Sequence, residues 1–165
     1  MLDGTPLRWK PFLLEPFQKY IIYNLLWFFM AGTSIVRFHE AFIYEPRKNI
    51  KTTFAGALVW AIGLLYRKSG SQAYITSAAL EQSLKSWRFI RWNIGNMGEE
   101  SSFRIIDNNN EHSISGSFPD GSLYIRALAA NPDAQDSFNC NLAIADEMHA
   151  YKSPKQYNVI KEAIS

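Results

Sequence analysis

YEPRKNIKTT, residues 44–53, ends one short apolar run and opens a longer one. EAFIYEP (40–46) reads as a short strand stopped by Pro46, which cannot donate to a ladder. From Lys51 to Arg67 the residues are apolar nearly all round at helical spacing, which predicts a buried helix. The basic cluster Arg47-Lys48 and the pair Lys51-Thr52 therefore fall between a strand and a helix start. Backbone N–H groups and the helix dipole at such a start favour phosphate. In a phosphate-binding loop the lysine reaches the β and γ phosphates, and the next Ser/Thr holds Mg2+. Lys51 and Thr52 stand in those two positions.

A second stretch completes the pattern. NLAIADEMH (141–149) is an apolar strand that closes on Asp146 and Glu147. A strand buried on both faces lifts its last residues into the crevice where α/β sheets bind ligands. Asp146 is placed to hold Mg2+, directly or through water. Glu147 is placed to polarise an attacking water as general base. Two surface acids at a strand end would look the same in isolation. The pairing with a basic strand–loop–helix upstream is what favours a nucleotide site.

The remaining elements fit around these two. Pro16 suits the first turn of a helix running to about Phe28. SQAYITSAA (71–79) supplies a strand. Ser77 then stands where an N-cap would, with Glu81 in the first turn and an apolar stripe through Leu80, Leu84, Trp87 and Ile90. SFRIIDNNNEHSISGS (102–117) reads as two strands around Asn108-Asn109-Asn110, and SLYIRALAA (122–130) as another. A loop with Pro132, Asp133, Asp136 and Asn139 precedes the Asp-Glu strand, and a polar helix begins in the tail 152–165. This alternation predicts an α/β fold, a mostly parallel sheet flanked by helices. The strand near 41–45 is expected beside the strand near 141–146.

Composition excludes several classes. The 165 residues are 47% hydrophobic and 19% charged, as in one globular domain, and the net charge of +2 does not announce a nucleic-acid surface. A single cysteine, Cys140, rules out an internal disulfide and any cysteine-rich metal site. It also accords with a reducing cytoplasm. His39 and His112 offer no ligand spacing. The apolar runs at 20–32 and 54–66 are too short for a bilayer core, which needs about 20 residues, so no membrane partner is expected. The first residues lack the form of a signal peptide.

LEPFQKYIIYNLLWF, RFHEAFIYEPRKNIKTT, QAYITSAALEQ and LAIADEMHAY together resemble the N-terminal ATPase domain of phage large terminase subunits, the DNA-packaging motors of tailed phages. The resemblance covers nearly the whole chain, 1–165. It implies a P-loop NTPase fold (ASCE-like), with ATP and Mg2+ as ligands. PFQ opens a helix whose glutamine, Gln18 here, reads the adenine ring. Arg47, Lys48, Asn49, Ile50, Lys51, Thr52 and Thr53 form the phosphate-binding Walker A segment. Thr52 and Asp146 hold the metal, and Lys51 and Glu147 do the catalysis. The implied partners are double-stranded DNA, a small terminase subunit, a portal protein and further copies of the chain in a homo-oligomeric ring. The implied location is the cytoplasm of a bacterial host. A neighbouring subunit would supply an arginine. Arg104 and Arg126 lie between the two motif segments, but each reads better as a strand surface charge.

Two departures stand out. The family usually has glycine where this chain has Ile50. If that position needs positive φ, a β-branched residue there costs about 1–2 kcal/mol or more. The chain also ends at Ser165, without the family's coupling segment and C-terminal nuclease domain, so an incomplete ATPase domain is expected, with weak or absent activity of its own. The alternative is a non-catalytic remnant of a prophage gene, or a nucleotide-binding module with a degenerate P-loop.

Overall fold

Pro16 opens α1 (Pro16–Trp27) from an extended Glu15, and Glu15 N–H donates to the Gln18 side-chain oxygen at 3.0 Å, closing the helix start. The computed structural model describes residues 13–46, 51–129 and 140–164. The chain divides into two units, Met1–Arg47 and Lys48–Ser165. In the first, α1 gives way to a tight turn. Met30 N–H donates to the Ile35 carbonyl at 2.9 Å, and Phe29 bridges Val36 in antiparallel fashion. Residues 41–46, expected as a strand, have no regular secondary structure. Phe42 and Tyr44 are 79% and 87% exposed, so their alternation with Ile43 marks no buried sheet face.

The second unit begins its described part with α2 (Lys51–Leu65), which is apolar nearly all round and leaves only Ala61 and Leu65 exposed. Gly70, at φ 73°, closes a 3-10 turn over Arg67–Ser69 and releases the chain into β1 (Ser71–Ser77). Then follow α3 (Leu80–Met97), β2 (Phe103–Asp107), β3 (His112–Phe118), β4 (Gly121–Ala129), β5 (Leu142–Asp146) and α4 (Lys155–Glu162). Ser77 does not cap α3 as expected. It is the last residue of β1, Ala79 is the N-cap, and the Ser77 hydroxyl donates to the Ala79 carbonyl at 2.7 Å.

The five strands form one sheet in the order β2-β3-β4-β1-β5. β1 runs parallel to both β4 and β5, while β2–β3 and β3–β4 are antiparallel. The parallel part is thus the half that carries the Asp-Glu strand, and the hairpin extends it as an antiparallel wing. β5 pairs with β1 rather than with a strand at 41–45. Register puts Ala73, Ile75, Leu123, Ile125, Ala127 and Ile114 on one face. There they pack with Val59 of α2 and Leu84, Trp87, Ile90 and Ile94 of α3 in a single core. Burying such side chains is worth about 1.5–3 kcal/mol each, which fixes both helices against the same face.

Candidate nucleotide site

β5 ends where α2 begins. Asp146 is the last residue of β5, in register with Ser77 at the end of β1, and shares the face that α2 and α3 cover. The next residue, Glu147, has φ 52° and ψ 45° and is the sole non-glycine at positive φ among the described residues. Left-handed backbone costs a residue with a Cβ about 1–2 kcal/mol. Asp146 Oδ1 accepts from Glu147 N–H at 2.9 Å and helps to hold this bend. A 3-10 turn over Met148–Ala150 follows, closed by Ala150 N–H donating to the Glu147 carbonyl.

The bend turns the Glu147 carboxylate toward α2. Its Oε1 lies 3.2 Å from the Lys51 ammonium, and its Oε2 lies 3.3 Å from His149 Nδ1. Lys51, the first residue of α2, and Glu147, the first residue past β5, thus meet across the space between a helix N-terminus and a strand end. Burial, and next the neighbouring Glu147 charge, raise the Asp146 carboxyl above its ordinary value, while Lys51 and Lys85 pull it back.

The support beneath the site is polar and buried. Ser86 on α3 donates to the Thr52 carbonyl at 2.9 Å. Ser83 donates to the Leu128 carbonyl at 2.6 Å and lies 3.2 Å from the Ser77 hydroxyl. Ser77, Ser83 and Ser86 are all fully enclosed. Sequence reasoning singled out Ser77 only as a cap for α3 and did not single out Ser83 and Ser86. Their one signal was two serines intruding on the apolar face of α3. Lys85 was missed as well.

Of the residues expected at the site, Lys51, Thr52 and Thr53 occupy the first turn of α2, and Asp146 and Glu147 stand at the end of β5. Arg47, Lys48, Asn49 and Ile50 lie outside the described residues. Gln18 belongs to the first unit, is buried, and commits its side-chain oxygen to Glu15 N–H. Arg126 pairs with Tyr74 in the β4–β1 register, on the sheet face opposite Asp146. Arg104 stands on the outer strand β2, opposite Ser115. Neither arginine joins the Lys51–Glu147 pair.

The family model for the terminase large subunit ATPase domain matches residues 16–165. The chain belongs to this family. The match takes in α1, both helices over the sheet and the Asp-Glu strand, so one family description spans the described elements. No curated protein and no solved structure matches the chain. A terminase ATPase domain uses nucleotide, and the fold here, helices on a five-stranded mixed sheet, is compatible with the P-loop type. Among the described residues no helix is long and apolar enough to cross a membrane.

Proposed function

We propose that this chain binds Mg-ATP between the N-terminus of α2 and the end of β5 and hydrolyses it as the ATPase part of a large terminase subunit. The observation that carries this reading is the meeting of Lys51 and Glu147 at 3.2 Å across that gap, inside a terminase ATPase family match. The donor chemistry fits the ligand. Thr52 and Asp146 are hard oxygen donors, and Mg2+ commonly takes one or two protein oxygens plus phosphate and water. No cluster of three metal-binding side chains occurs among the described residues, and a nucleotide-borne Mg2+ needs none. When bound, Mg2+ would supply charge neutralisation on the phosphates.

The chain's own residues divide the work. Lys51 binds the phosphates at a helix start whose dipole favours anions. Thr52 and Asp146 hold the metal, and Thr53 with Arg47, Lys48, Asn49 and Ile50 completes the phosphate-binding segment. Glu147 accepts the proton of the attacking water. Gln18 reads adenine through its amide nitrogen, since its oxygen serves Glu15. The hydrolysis drives double-stranded DNA into procapsids in the bacterial cytoplasm, in a ring of copies that works with a portal protein and a small subunit. An arginine from a neighbouring copy is worth about 10³–10⁵ in rate in related phosphoryl transfer. The single chain therefore turns over slowly.

Titration calorimetry with Mg-ATP, paired with phosphate-release kinetics, tests the reading. Saturable binding that Lys51→Ala removes is expected. A chain that binds no nucleotide would be the non-catalytic remnant instead.

A further inference from the structure

Ser83 and Ser86 interrupt the apolar face of α3, and each directs its hydroxyl at a backbone carbonyl of another element. Ser83 Oγ donates to the Leu128 carbonyl, near the end of β4, at 2.6 Å. It also lies 3.2 Å from Ser77 Oγ, and Ser77 ends β1 in register with Asp146. One turn further along α3, Ser86 Oγ donates at 2.9 Å to the Thr52 carbonyl, in the first turn of α2. α3 is therefore tied at Ser83 to the strand ends beside Asp146, and at Ser86 to the turn that carries Lys51 and Thr52. Neither serine is what packing or helix propensity would select. Both are fully enclosed, a buried hydroxyl is costly unless bonded, and alanine suits a helix interior better. Each bond adds little net stability, because a bond to water is given up for it. What it adds is direction. Apolar contacts between α2 and α3 are non-directional and tolerate sliding, whereas a hydroxyl aimed at one carbonyl fixes distance and angle.

From these contacts we propose that Ser86, backed by Ser83, is a positioning residue for the metal-bound nucleotide. The two hydroxyls make α3 a strut that sets how the first turn of α2 stands relative to Asp146. The inference rests on the nucleotide-site reading above, in which Thr52 and Asp146 hold one Mg2+. These two donors belong to different elements, α2 and β5. Mg2+ demands near-octahedral geometry at about 2.0–2.1 Å, so a small slide of one element against the other spoils the pair of donors. Ser86 touches neither phosphate nor metal and acts through the Thr52 backbone. Ser83 anchors the other end of the strut at the strand beside Asp146.

The test measures affinity for the non-hydrolysable ATP analogue AMPPNP by calorimetry, with and without Mg2+. Ser86→Ala should weaken binding of the Mg-bound analogue about three- to ten-fold, the worth of one hydrogen bond. Binding of the metal-free analogue should change less, so the enhancement by Mg2+ should shrink. A general loosening of the fold would lower both affinities alike, and an undiminished enhancement overturns the proposal. Ile94→Val is the control, since it trims the same core toward the far end of α3. It should lower the denaturation midpoint and leave the enhancement as it was. An equal loss of enhancement in Ile94→Val would mean that the ratio follows stability, and the proposal would fall. A second measurement needs no ligand: amide hydrogen exchange of residues 51–58 in the empty protein. Ser86→Ala should speed it, and an unchanged rate shows that the hydroxyl does not hold the turn. If the natural chain binds no nucleotide while this exchange does respond, the strut stands and the nucleotide-site reading is what has failed, taking the positioning role with it.

Discussion

Ser86 of α3 reaches across to the first turn of α2 and donates its hydroxyl to the Thr52 carbonyl, 2.9 Å away. The same residue's own carbonyl sits 2.8 Å from where a Cβ on Gly56 would stand, with the Phe89 ring at 3.0 Å. The two helices cross this closely because Gly56 has no side chain. Gly56→Ala should push α2 off α3, cost about 1–3 kcal/mol, and weaken nucleotide binding by moving Lys51. Chemical denaturation and calorimetry check both halves. An unchanged denaturation midpoint would mean that the crossing is looser than described.

Glu147→Gln should lower steady-state turnover about 10²–10⁴-fold while nucleotide affinity is kept or raised. The amide fills the same volume but cannot accept the proton. The measurement belongs in assembled, DNA-engaged protein, where turnover is fast enough to read. Undiminished turnover would remove Glu147 from its assigned role.

Ile50→Gly should tighten Mg-ATP binding. A loop that wraps phosphate with backbone N–H groups needs conformations that a β-branched residue resists. Equal affinities in the two versions would show that the loop accepts isoleucine.

Much of the second unit was legible in the sequence because period alone settles it. Alternation gave β2 and β3 on either side of the Asn-rich turn, and the helical stripe through Leu84, Trp87 and Ile90 gave α3. The Asp-Glu end of β5 and the Lys-Thr start of α2 were legible as positions, since both residue pairs sit at element boundaries. The strand at 41–45 was not, because an alternating apolar run becomes a strand only when a ladder receives it. Ser77 misled for a related reason. A serine hydroxyl can cap a helix or bond a nearby carbonyl, and composition does not choose between them. The left-handed bend at Glu147 left no mark at all, as glutamate is an ordinary residue everywhere but there.

Acid should loosen the hairpin side of the sheet. The Ser113 hydroxyl donates to Glu111 at 2.6 Å and the Tyr124 hydroxyl at 3.1 Å. These bonds, Ser113 first, hold the Glu111 carboxyl below its ordinary value, with Arg126 and Arg104 adding to them. A depressed acid stabilises the fold above its unfolded pKa, about 4.3, and that stability is lost as pH falls through the folded value. Glu111→Gln should therefore cost about 0.5–1 kcal/mol at neutral pH, and the difference should vanish in strong acid. A penalty independent of pH would point to packing instead.

Cys140 should resist alkylation. Burial pushes its thiol up to about 11, leaving almost no thiolate at neutral pH. Iodoacetamide should label it only after denaturation. Labelling of the folded chain at the rate of a free thiol would contradict its enclosure.

The sheet order also carries a chronology. β2 and β3 meet across a turn in which Asp107 and His112 are 5 residues apart, whereas the start of β5 finds β1 through Gln72 N–H and Asn141 Oδ1, separated by 69 residues. Contacts that close short loops form early, and those that close long ones wait until enough structure exists to reward them. β1 pairs with β4 on one side and with β5 on the other, and β5 closes the longer loop, so it is expected to dock last. The carboxylates of Asp146 and Glu147 would then be the last chemistry to arrive during folding. Pulse-labelled amide exchange should find the hairpin protected before residues 142–146, with nucleotide affinity appearing only in the final kinetic phase.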